Sequence, residues 1–474
     1  MAQPFLLVNL MSSEKNKPEN ATETVAFRNL AAGGETVGRD NSGQTVFAHG
    51  GAPGETAQVR ITDKRKNFAR GVIAQIDQVS PFRVAAPCPH FGVVSTDIQQ
   101  RDLRPENGCG GCAWQHIEYS MQAQSKRDVL VQALRRVAGL ENAESLVENC
   151  LVSPHDFAYR NKADVVVAAQ NGETRIGFRA RESHDVVDVA QCLIQSDGNN
   201  SLLRLLREGV ARKLVAPFDA QQNRGVLKRA VLRTSSRDEK LIVLETTPER
   251  WPQAAQFADF LMQNAPHLRG VLARTQSQHQ ILAGRDWLEE AVLDLKLRVI
   301  GGDFFQINTL ATPLLLSTAL ELAQVQSGER VLDLYCGVGL FALALAKRGA
   351  VVTGIEYNAR AIETARENAK RNGCDATFLA GDAARTLQKW RAQSGHERVD
   401  LVVLDPPRAG AKECLDEIVA LAPRRIVYVS CDVATLARDV KILGARGFSL
   451  RRAVPLDLFP QTSHVETAAL LEAS

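Results

Sequence analysis

The chain has 474 residues, of which 45% are hydrophobic and 23% charged, a composition typical of a globular protein with several domains. The net charge of +3 permits nucleic-acid binding without indicating it, so any basic surface must be local. The apolar run at residues 5–11 is too short to span a membrane and lacks a basic leader, so we expect a cytoplasmic protein without membrane contact. In that compartment the nine cysteines are not expected to form structural disulfides.

Residues 1–22 are polar and are predicted to form a disordered tail, whereas residues 23–82 contain short strands separated by glycine turns. This alternation predicts a five-stranded antiparallel β-barrel of the OB type. One stretch of the predicted barrel is basic, with only Asp63 opposing it, and contains Arg60, Lys64, Arg65, Lys66 and Arg70. The stretch is either a solvated face or an RNA contact, and both interpretations stay open.

Three cysteines follow the predicted barrel within a short stretch, namely Cys88, Cys109 and Cys112. The turn Cys109-Gly-Gly-Cys112 lets two thiolates reach one metal site, although a redox-active pair is the alternative for such a motif. A fourth thiolate must come from a distant part of the chain, and we prefer Cys192 to its competitor Cys150. These residues alone do not distinguish a zinc site from an iron–sulfur cluster.

Residues 83–295 are predicted to form a central mixed α/β domain that carries the cysteine cluster. Apolar residues at helical spacing predict an amphipathic helix at 119–138, and alternating patterns predict strands at 162–170, 175–179, 226–234 and 241–245. The basic residues of this region form either a phosphate-binding surface or scattered solvated charge, and they include Arg160, Lys162, Arg175, Arg179 and Arg181.

Residues 296–474 alternate buried strands with helices, which predicts a doubly wound, Rossmann-like parallel sheet. The turn after the first strand contains Gly337 and Gly339, which let a ligand approach the backbone at a helix N-terminus. Glu356 ends the second strand, where a carboxylate can bind both ribose hydroxyls, and Asp382 ends the third strand at the expected adenine edge. The third glycine of the dinucleotide fingerprint is absent, so S-adenosylmethionine fits better than NAD.

Cys431 follows the apolar run at residues 426–429 and precedes a predicted helix, which places it at the carboxyl end of a parallel strand. Asp405 ends another strand of the same predicted sheet. Ligands of open α/β sheets bind at this edge, so Cys431 is a candidate nucleophile. The alternative is that the cysteine is simply a small buried hydrophobic residue.

Three motifs occur in order in this part of the chain: Asp405-Pro-Pro-Arg408-Ala-Gly410, Tyr428-Val-Ser-Cys431-Asp432 and His464-Val-Glu466-Thr467. Together they resemble the RNA (uracil-5-)-methyltransferase family of the RlmD/TrmA type. The N-terminal barrel is similar to a TRAM domain, which the rRNA enzymes of this type carry and the tRNA enzyme lacks. The resemblance covers nearly all of the chain from about residue 23. It implies a monomeric 23S rRNA (uracil-5-)-methyltransferase, with the tRNA enzyme as the alternative.

The resemblance also implies roles for particular residues. A [4Fe–4S] cluster would be bound by Cys88, Cys109, Cys112 and Cys192. S-adenosylmethionine would be contacted by Gln306, Tyr335, Gly337, Leu340, Glu356, Asp382 and Asp405. The nucleophile would be Cys431 and the proton-abstracting base Glu466. The sequence departs from the family pattern at two places: 20 residues separate Cys88 from Cys109 where five are usual, and Leu340 replaces an expected asparagine.

Methylation at C5 of uracil requires a cysteine and a base that face the same ring. A thiolate that adds to C6 makes C5 nucleophilic, and a base must afterwards remove the C5 proton. We expect Arg408 and the helix N-terminus after Cys431 to favour the thiolate. The last two predicted strands, near residues 448–458 and 465–472, form a hairpin that brings Glu466 beside Cys431. The target uridine must be single-stranded or flipped out of its helix.

Overall fold

The structure is a computed structural model that describes residues 22–92, 108–170, 172–276, 278–393 and 399–474. The predicted disordered tail therefore lies outside the described residues, except for Thr22, which opens the first strand. Among the described residues, no helix has the length and apolar character needed to cross a membrane.

The N-terminal part is a closed five-stranded barrel around a small apolar interior that includes Val25, Val46 and Val59. Its strands lie in the order β1-β2-β3-β5-β4 and comprise β1 (Thr22–Leu30), β2 (Thr36–Asp40), β3 (Thr45–His49), β4 (Thr56–Lys64) and β5 (Phe68–Gln78). The barrel confirms the predicted OB-like architecture, but β3 and β5 run parallel rather than antiparallel. The prediction of a purely antiparallel barrel was wrong because strand directions cannot alternate around a closed ring with an odd number of strands.

The central part is a seven-stranded sheet in the order β12-β11-β10-β9-β6-β7-β8. Its strands are β6 (Lys162–Gln170), β7 (Glu173–Arg179), β8 (Val186–Asp188), β9 (Leu227–Thr234), β10 (Lys240–Thr246), β11 (Leu268–Arg274) and β12 (His279–Gly284). Four helices belong to the same stretch of chain, namely α1 (Tyr119–Ala133), α2 (Ala143–Leu146), α3 (Asp197–Ala211) and α4 (Ala254–Asn264). Helices α3 and α4 cover one face of the sheet through an apolar cluster that includes Leu206 and Phe257.

Helix α1 packs against the C-terminal part of the chain, although we predicted it within the central domain of residues 83–295. Leu130 of α1 and Leu134 of the π-helical turn after it (Leu134–Ala138) belong to the same buried cluster as Leu436 and Leu443. The apolar face of α1 is therefore buried against the helix Val433–Gly444 and the sheet beneath it, which carries the candidate site.

The C-terminal sheet has the strand order β17-β16-β15-β18-β19-β21-β20 and follows a separate hairpin of β13 (Trp287–Val292) and β14 (Leu295–Ile300). Its strands are β15 (Arg330–Leu334), β16 (Val351–Glu356), β17 (Ala376–Ala380), β18 (Leu401–Leu404), β19 (Arg425–Ser430), β20 (Phe448–Leu456) and β21 (Glu466–Ala473). Strands β15 to β19 are parallel, which agrees with the predicted doubly wound sheet.

Six helices accompany this sheet, namely α5 (Thr312–Ala323), α6 (Leu340–Ala346), α7 (Ala359–Asn372), α8 (Ala383–Gln393), α9 (Leu415–Ala420) and α10 (Val433–Gly444), and a short 3-10 turn (Lys412–Cys414) precedes α9. Apolar clusters cover both faces of the sheet. The parallel strands β15 to β19 are largely apolar because both of their faces are buried. The hairpin of β13 and β14 lies across the limit predicted between residues 295 and 296, and the domain limits stay a prediction.

Strand β21 lies between β19 and β20 and is antiparallel to both. It therefore starts at the edge where the parallel strands end. Ser430, the last residue of β19, pairs with Thr467, so the next residues outward are Cys431 and Glu466. The fold thus places a thiol and a carboxyl group at the same edge of the sheet.

Candidate active site

The turn after β15 has an unusual backbone conformation in which Tyr335, Gly337 and Gly339 have positive φ angles of 65°, 54° and 93°. Asp333 fixes the turn, because its Oδ2 accepts a hydrogen bond of 2.8 Å from the Ala342 N–H group in the first turn of α6. A side chain at Gly337 would enter open space. The turn therefore leaves a recess beside the N-terminus of α6 in which a ligand can come close to the backbone.

Glu356 at the end of β16 closes one side of this recess. Its Oε2 accepts a hydrogen bond from the Gly337 N–H group (3.2 Å), and its Oε1 accepts one from the Asn358 N–H group (2.8 Å). These bonds hold the carboxylate against the glycine turn. A carboxylate with remaining lone pairs in that position suits a ribose diol, as the sequence predicted.

The other residues predicted to bind the cofactor lie mostly along the same edge. Leu340 is the first residue of α6 and is buried, and the Tyr335 hydroxyl lies 3.5 Å from the Cys414 sulfur. Asp382 precedes α8 and caps it, since its Oδ1 accepts a hydrogen bond of 3.0 Å from the Arg385 N–H group. Gln306 lies on a separate loop before α5.

The loop that carries Gln306 is attached to the central sheet. The Asn161 side chain donates a hydrogen bond to the Gln306 carbonyl oxygen (3.1 Å), and the Asn161 N–H group donates to the Ile307 carbonyl oxygen (2.8 Å). Gln306 itself is buried. The central domain therefore fixes the backbone at Gln306, the one predicted cofactor residue that does not follow a strand of the C-terminal sheet.

Cys431, Asp405 and Glu466 interact electrostatically at the carboxyl edge. Burial and the negative charges of Glu466 and Asp405 together raise the pKa of Cys431 to about 11, and the guanidinium group of Arg408 opposes them. Burial raises the pKa of Asp405 to about 7. Burial and the charge of Asp405 together raise the pKa of Glu466 well above its usual value. Arg408 acts in the predicted direction, but the two carboxylates and burial outweigh it.

Arg408 and His464 close the outer side of this group. The guanidinium Nη2 of Arg408 donates to the imidazole Nε2 of His464 (3.4 Å), and the Phe459 ring meets the imidazole edge-on with centroids 5.9 Å apart. Burial lowers the pKa of His464 to about 4, and the cations Arg408, Lys126 and Arg160 act in the same direction. His464 is therefore neutral near pH 7 and can accept a hydrogen bond.

The four predicted cysteine ligands lie in one region. Burial raises the pKa of Cys112 to about 12, the side chain of Gln115 lowers it, and the thiols of Cys192, Cys109 and Cys88 raise it. Cys150, the competitor for the fourth position, instead responds to Asp457 and Lys126. Cys112 therefore interacts electrostatically with the other three cysteines of the preferred set, and their role as ligands stays a prediction.

The spacing of these thiols does not suit a single ion. Within the described ranges, no three His, Cys, Asp or Glu side chains meet closely enough to hold one metal ion. A [4Fe–4S] cluster requires a wider spacing of the cysteine sulfur atoms than a single ion does, because each thiolate binds its own iron.

The basic residues predicted to contact RNA have mixed roles. On the barrel, Arg70 lies over the rings of Phe47 and Phe68, with 5.7 Å and 5.4 Å to the ring centroids, and also pairs with Glu35. In the central domain, Arg181 donates to the carbonyl oxygen of Cys112 (2.7 Å) and so supports the cysteine turn. The predicted set therefore includes at least one arginine with a structural contact.

Several buried polar residues near the site were not predicted from the sequence. Gln122 and Lys126 of α1 contact the segment between β20 and β21, where they donate hydrogen bonds to the side chains of Gln461 and Asp457. The Gln461 N–H group in turn donates to the Gln122 side chain. Gln122 and Lys126 are four residues apart and so share one helix face, but polar residues on a helix usually indicate the solvent side. The signal that could have found them is their position between apolar residues of an amphipathic pattern.

The open sheet with an antiparallel strand β21, the glycine turn and the acidic residue at the end of β16 define an S-adenosylmethionine-dependent methyltransferase. The chain belongs to the tRNA (uracil-5-)-methyltransferase family, whose sequence profile matches residues 118–474, and residues 17–74 match the TRAM domain. These matches confirm the resemblance that the three motifs indicated.

Individual relatives match over nearly the whole chain. An uncharacterized RNA methyltransferase of Gloeobacter violaceus is 35% identical over 469 residues, which cover 96% of this chain and 97% of the relative. A second one, from Halalkalibacterium halodurans, is 31% identical over 475 residues, or 97% and 99% of the two chains. The crystal structure of the tRNA (uracil-54, C5)-methyltransferase of Pyrococcus abyssi, in complex with S-adenosyl-L-homocysteine, is also similar. It is 27% identical, has a TM-score of 0.70, and the match covers 95% of this chain and 99% of that one.

Proposed function

We propose that the protein methylates C5 of a specific uridine in 23S rRNA, with Cys431 as the nucleophile and Glu466 as the base. The observation that carries this proposal is the register of β19 and β21, in which Cys431 and Glu466 follow the paired residues Ser430 and Thr467. Family membership supports the reaction class, because uracil-5 methylation needs this pair of groups on one ring.

The proposed reaction starts when the Cys431 thiolate forms a bond from its sulfur to C6 of the uracil. The electron pair of the C5–C6 double bond makes C5 a nucleophile toward the methyl group that S-adenosylmethionine supplies. The bond from C5 to the methyl group would form as the bond from the methyl group to the sulfonium sulfur breaks, and S-adenosylhomocysteine would leave with that electron pair. Glu466 takes the proton from C5, the double bond forms again, and the sulfur leaves C6 as a thiolate. The cysteine is regenerated, and the proton remains on the Glu466 carboxyl group until solvent removes it.

The charges of the site affect the first step. In the structure, burial and the charges of Glu466 and Asp405 raise the pKa of Cys431 to about 11, so the thiol is mostly protonated at neutral pH. A cationic methyl donor and the guanidinium group of Arg408 both oppose that effect. We infer that the thiolate forms chiefly in the complete complex, which keeps a reactive sulfur protonated in the free enzyme.

A second candidate function is methylation of tRNA, and the similarity to the Pyrococcus abyssi enzyme favours it. That enzyme is named for a tRNA substrate, and its match covers 95% of this chain, a share that includes most of the barrel. A barrel of this kind therefore does not by itself indicate rRNA. Our preference for rRNA rests on the resemblance to the TRAM-containing rRNA enzymes.

We further propose that Cys88, Cys109, Cys112 and Cys192 bind a [4Fe–4S] cluster. The mutual electrostatic effect of these thiols supports it, as does their setting, in which Cys112 is buried and the other three are half-buried. The methyl transfer contains no redox step, so the cluster would have a structural role. The hydrogen bond from Arg181 to the Cys112 carbonyl oxygen would keep the cysteine turn in place around it.

Nucleoside mass spectrometry of rRNA and tRNA from a strain without this protein tests the proposed function. We expect 5-methyluridine to disappear from 23S rRNA and to return when the wild-type protein is supplied, but not with Cys431→Ala. Loss from tRNA alone would support the second candidate and contradict the first. Unchanged 5-methyluridine in both RNAs would contradict both.

A further inference from the structure

The segment at residues 457–465, here called the return loop, connects β20 to β21 and leads directly to Glu466. It also carries His464. Most of the return loop is buried, with exposed fractions of 1% for Asp457 and 3% for Gln461. Gln461 has a φ angle of +67°, a conformation that costs free energy in any residue with a side chain. Surrounding contacts must therefore hold it in place.

Gln122 of α1 provides the central contact. Its Nε2 donates to Gln461 Oε1 (3.0 Å) and to the carbonyl oxygens of Ile117 (2.8 Å) and Trp114 (3.1 Å). Its Oε1 accepts a hydrogen bond from the Gln461 N–H group (3.0 Å). Gln122 is fully buried, so both polar ends of the side chain are satisfied by protein groups alone. An apolar side chain of similar length would leave four backbone or side-chain groups without these partners.

The segment that follows the cysteine turn is bonded to the same loop. The N–H groups of Ala113 and Trp114 both donate to the Gln461 carbonyl oxygen, at 2.9 Å and 3.0 Å. Tyr159, which packs against Cys112, donates from its hydroxyl to the Pro460 carbonyl oxygen (2.9 Å). Gln461 is thus bonded to α1 through its side chain and its N–H group, and to the residues after Cys112 through its carbonyl oxygen.

Cys431 does not depend on these contacts. It lies between β19 and α10, and Asp432 caps α10 through hydrogen bonds of 3.1 Å and 2.8 Å from the Ala434 and Thr435 N–H groups. Disturbing the return loop would therefore move Glu466 and His464 more than Cys431. Proton transfer is sensitive to such movement, since a displacement of about 1 Å can cost on the order of a hundredfold in rate.

We propose that Gln122 is a positioning residue that aims Glu466 at the uracil through Gln461, and that the cysteine turn is fastened to the same point. This inference rests on the proposed function, because it assigns Glu466 the removal of the C5 proton. It predicts that loss of Gln122 impairs the last chemical step and spares the first. The variant Gln122→Met removes the hydrogen bonds while keeping the length of the side chain. Gln124→Met is the matched control, since Gln124 is exposed on the same helix.

The test uses the full-length protein with 23S rRNA and tRNA transcribed in vitro, each with natural uridine and with 5-fluorouridine. For Gln122→Met we expect adduct formation with 5-fluorouridine RNA within about twofold of wild type, and S-adenosylmethionine affinity unchanged. Turnover on natural RNA should fall about tenfold or more, and a denaturant-stable protein–RNA complex should accumulate. Gln124→Met should behave as wild type in all three measurements.

Two results would overturn the inference. If adduct formation and turnover fall in parallel, Gln122 has only a general structural role, and if turnover is unchanged, it has no role in catalysis. Should Gln122→Met fail to fold, Gln122→Glu keeps an acceptor for the Gln461 N–H group and is measured in the same way. Failure of the proposed function would look different, because the wild-type protein would then form no adduct with either 5-fluorouridine RNA.

Discussion

Glu466 is the residue whose chemistry can be separated most cleanly from its structural contribution. Replacing it with glutamine keeps the size and hydrogen bonding of the side chain but removes its basicity. We expect Glu466→Gln to stop after methyl transfer, so that methylated RNA stays bonded to Cys431 and natural RNA yields a covalent complex. Gel electrophoresis under denaturing conditions with a radiolabelled methyl donor measures this. Cys431→Ala is the control that should give no complex. Full turnover by Glu466→Gln would assign the C5 proton to another base.

Asp405 makes the stability of the protein depend on pH. Its pKa is about 7 in the folded protein against 3.8 as the ordinary value, so between these values the native state holds a proton that the unfolded chain has released. The free energy of unfolding must therefore fall as pH rises through this window. We expect Asp405→Asn to unfold at a higher temperature than wild type at pH 8 and at a similar temperature at pH 4.

Differential scanning calorimetry without cofactor checks this expectation. Asp375→Asn serves as the control, because Asp375 is an exposed aspartate outside the site. An equal change in unfolding temperature for both variants, or no change for Asp405→Asn at pH 8, would contradict this expectation. It would show that ionising the buried Asp405 does not lower the stability of the folded protein.

Glu356 tests the cofactor recess. We expect Glu356→Ala to weaken binding of S-adenosylmethionine at least about tenfold, because hydrogen bonds to a charged group contribute about 1.5–3 kcal/mol each. Part of the loss would come from the glycine turn, which also loses the acceptor of the Gly337 N–H group. Isothermal titration calorimetry measures the change, with Glu363→Ala on the exposed side of α7 as the matched control. Equal affinities for both variants would place the ribose elsewhere.

At the scale of single elements, the parallel strands β15 to β19 were predictable because each is a short, largely apolar run in a part of the chain where strands alternate with helices. The position of Glu466 beside Cys431 followed from the same patterns, since a hairpin whose first strand is parallel to the sheet must return to the carboxyl edge. The parallel pair of β3 and β5 did not follow, because residue patterns show that a strand exists but not which strand is its neighbour. The contacts of α1 did not follow either, because Gln122 and Lys126 have the polar character of exposed residues.

Lys126 of helix α1 forms a buried ion pair with Asp457 of the return loop. Its Nζ lies 2.5 Å from Asp457 Oδ1 and 3.1 Å from the Phe459 carbonyl oxygen, and both charged side chains are fully buried. Lys126→Met should lower the free energy of unfolding by about 3–5 kcal/mol, because it leaves the Asp457 carboxylate buried without its cation. Chemical denaturation measures the loss. The double variant Lys126→Met, Asp457→Leu should recover part of it, and a double variant as unstable as the sum of the single ones would contradict the pairing.

At the scale of the whole molecule, the cysteine region joins parts of the chain that are far apart in sequence. We expect the anaerobically purified protein to be brown and to contain about four irons per chain if the proposed cluster is present. Cys192→Ala should lose most of the iron, whereas Cys150→Ala, whose thiol faces Asp457 and Lys126, should keep it. Iron analysis with absorbance spectroscopy distinguishes the two. Stoichiometric zinc without iron in the wild-type protein would contradict the assignment.

The insertion of β21 between β19 and β20 also determines the order in which the site can form during synthesis. Cys431 leaves the ribosome before Glu466. Strand β20 emerges before β21, the strand that will lie between it and β19, has been synthesised. The growing chain can thus acquire the recess around Gly337 and the thiol while it still lacks the group that would release a product. With Glu466 as the proposed base, catalytic competence would be gained only late in translation, when β21 closes the gap in the sheet, and a nascent chain that stalls before that point would be unable to turn over.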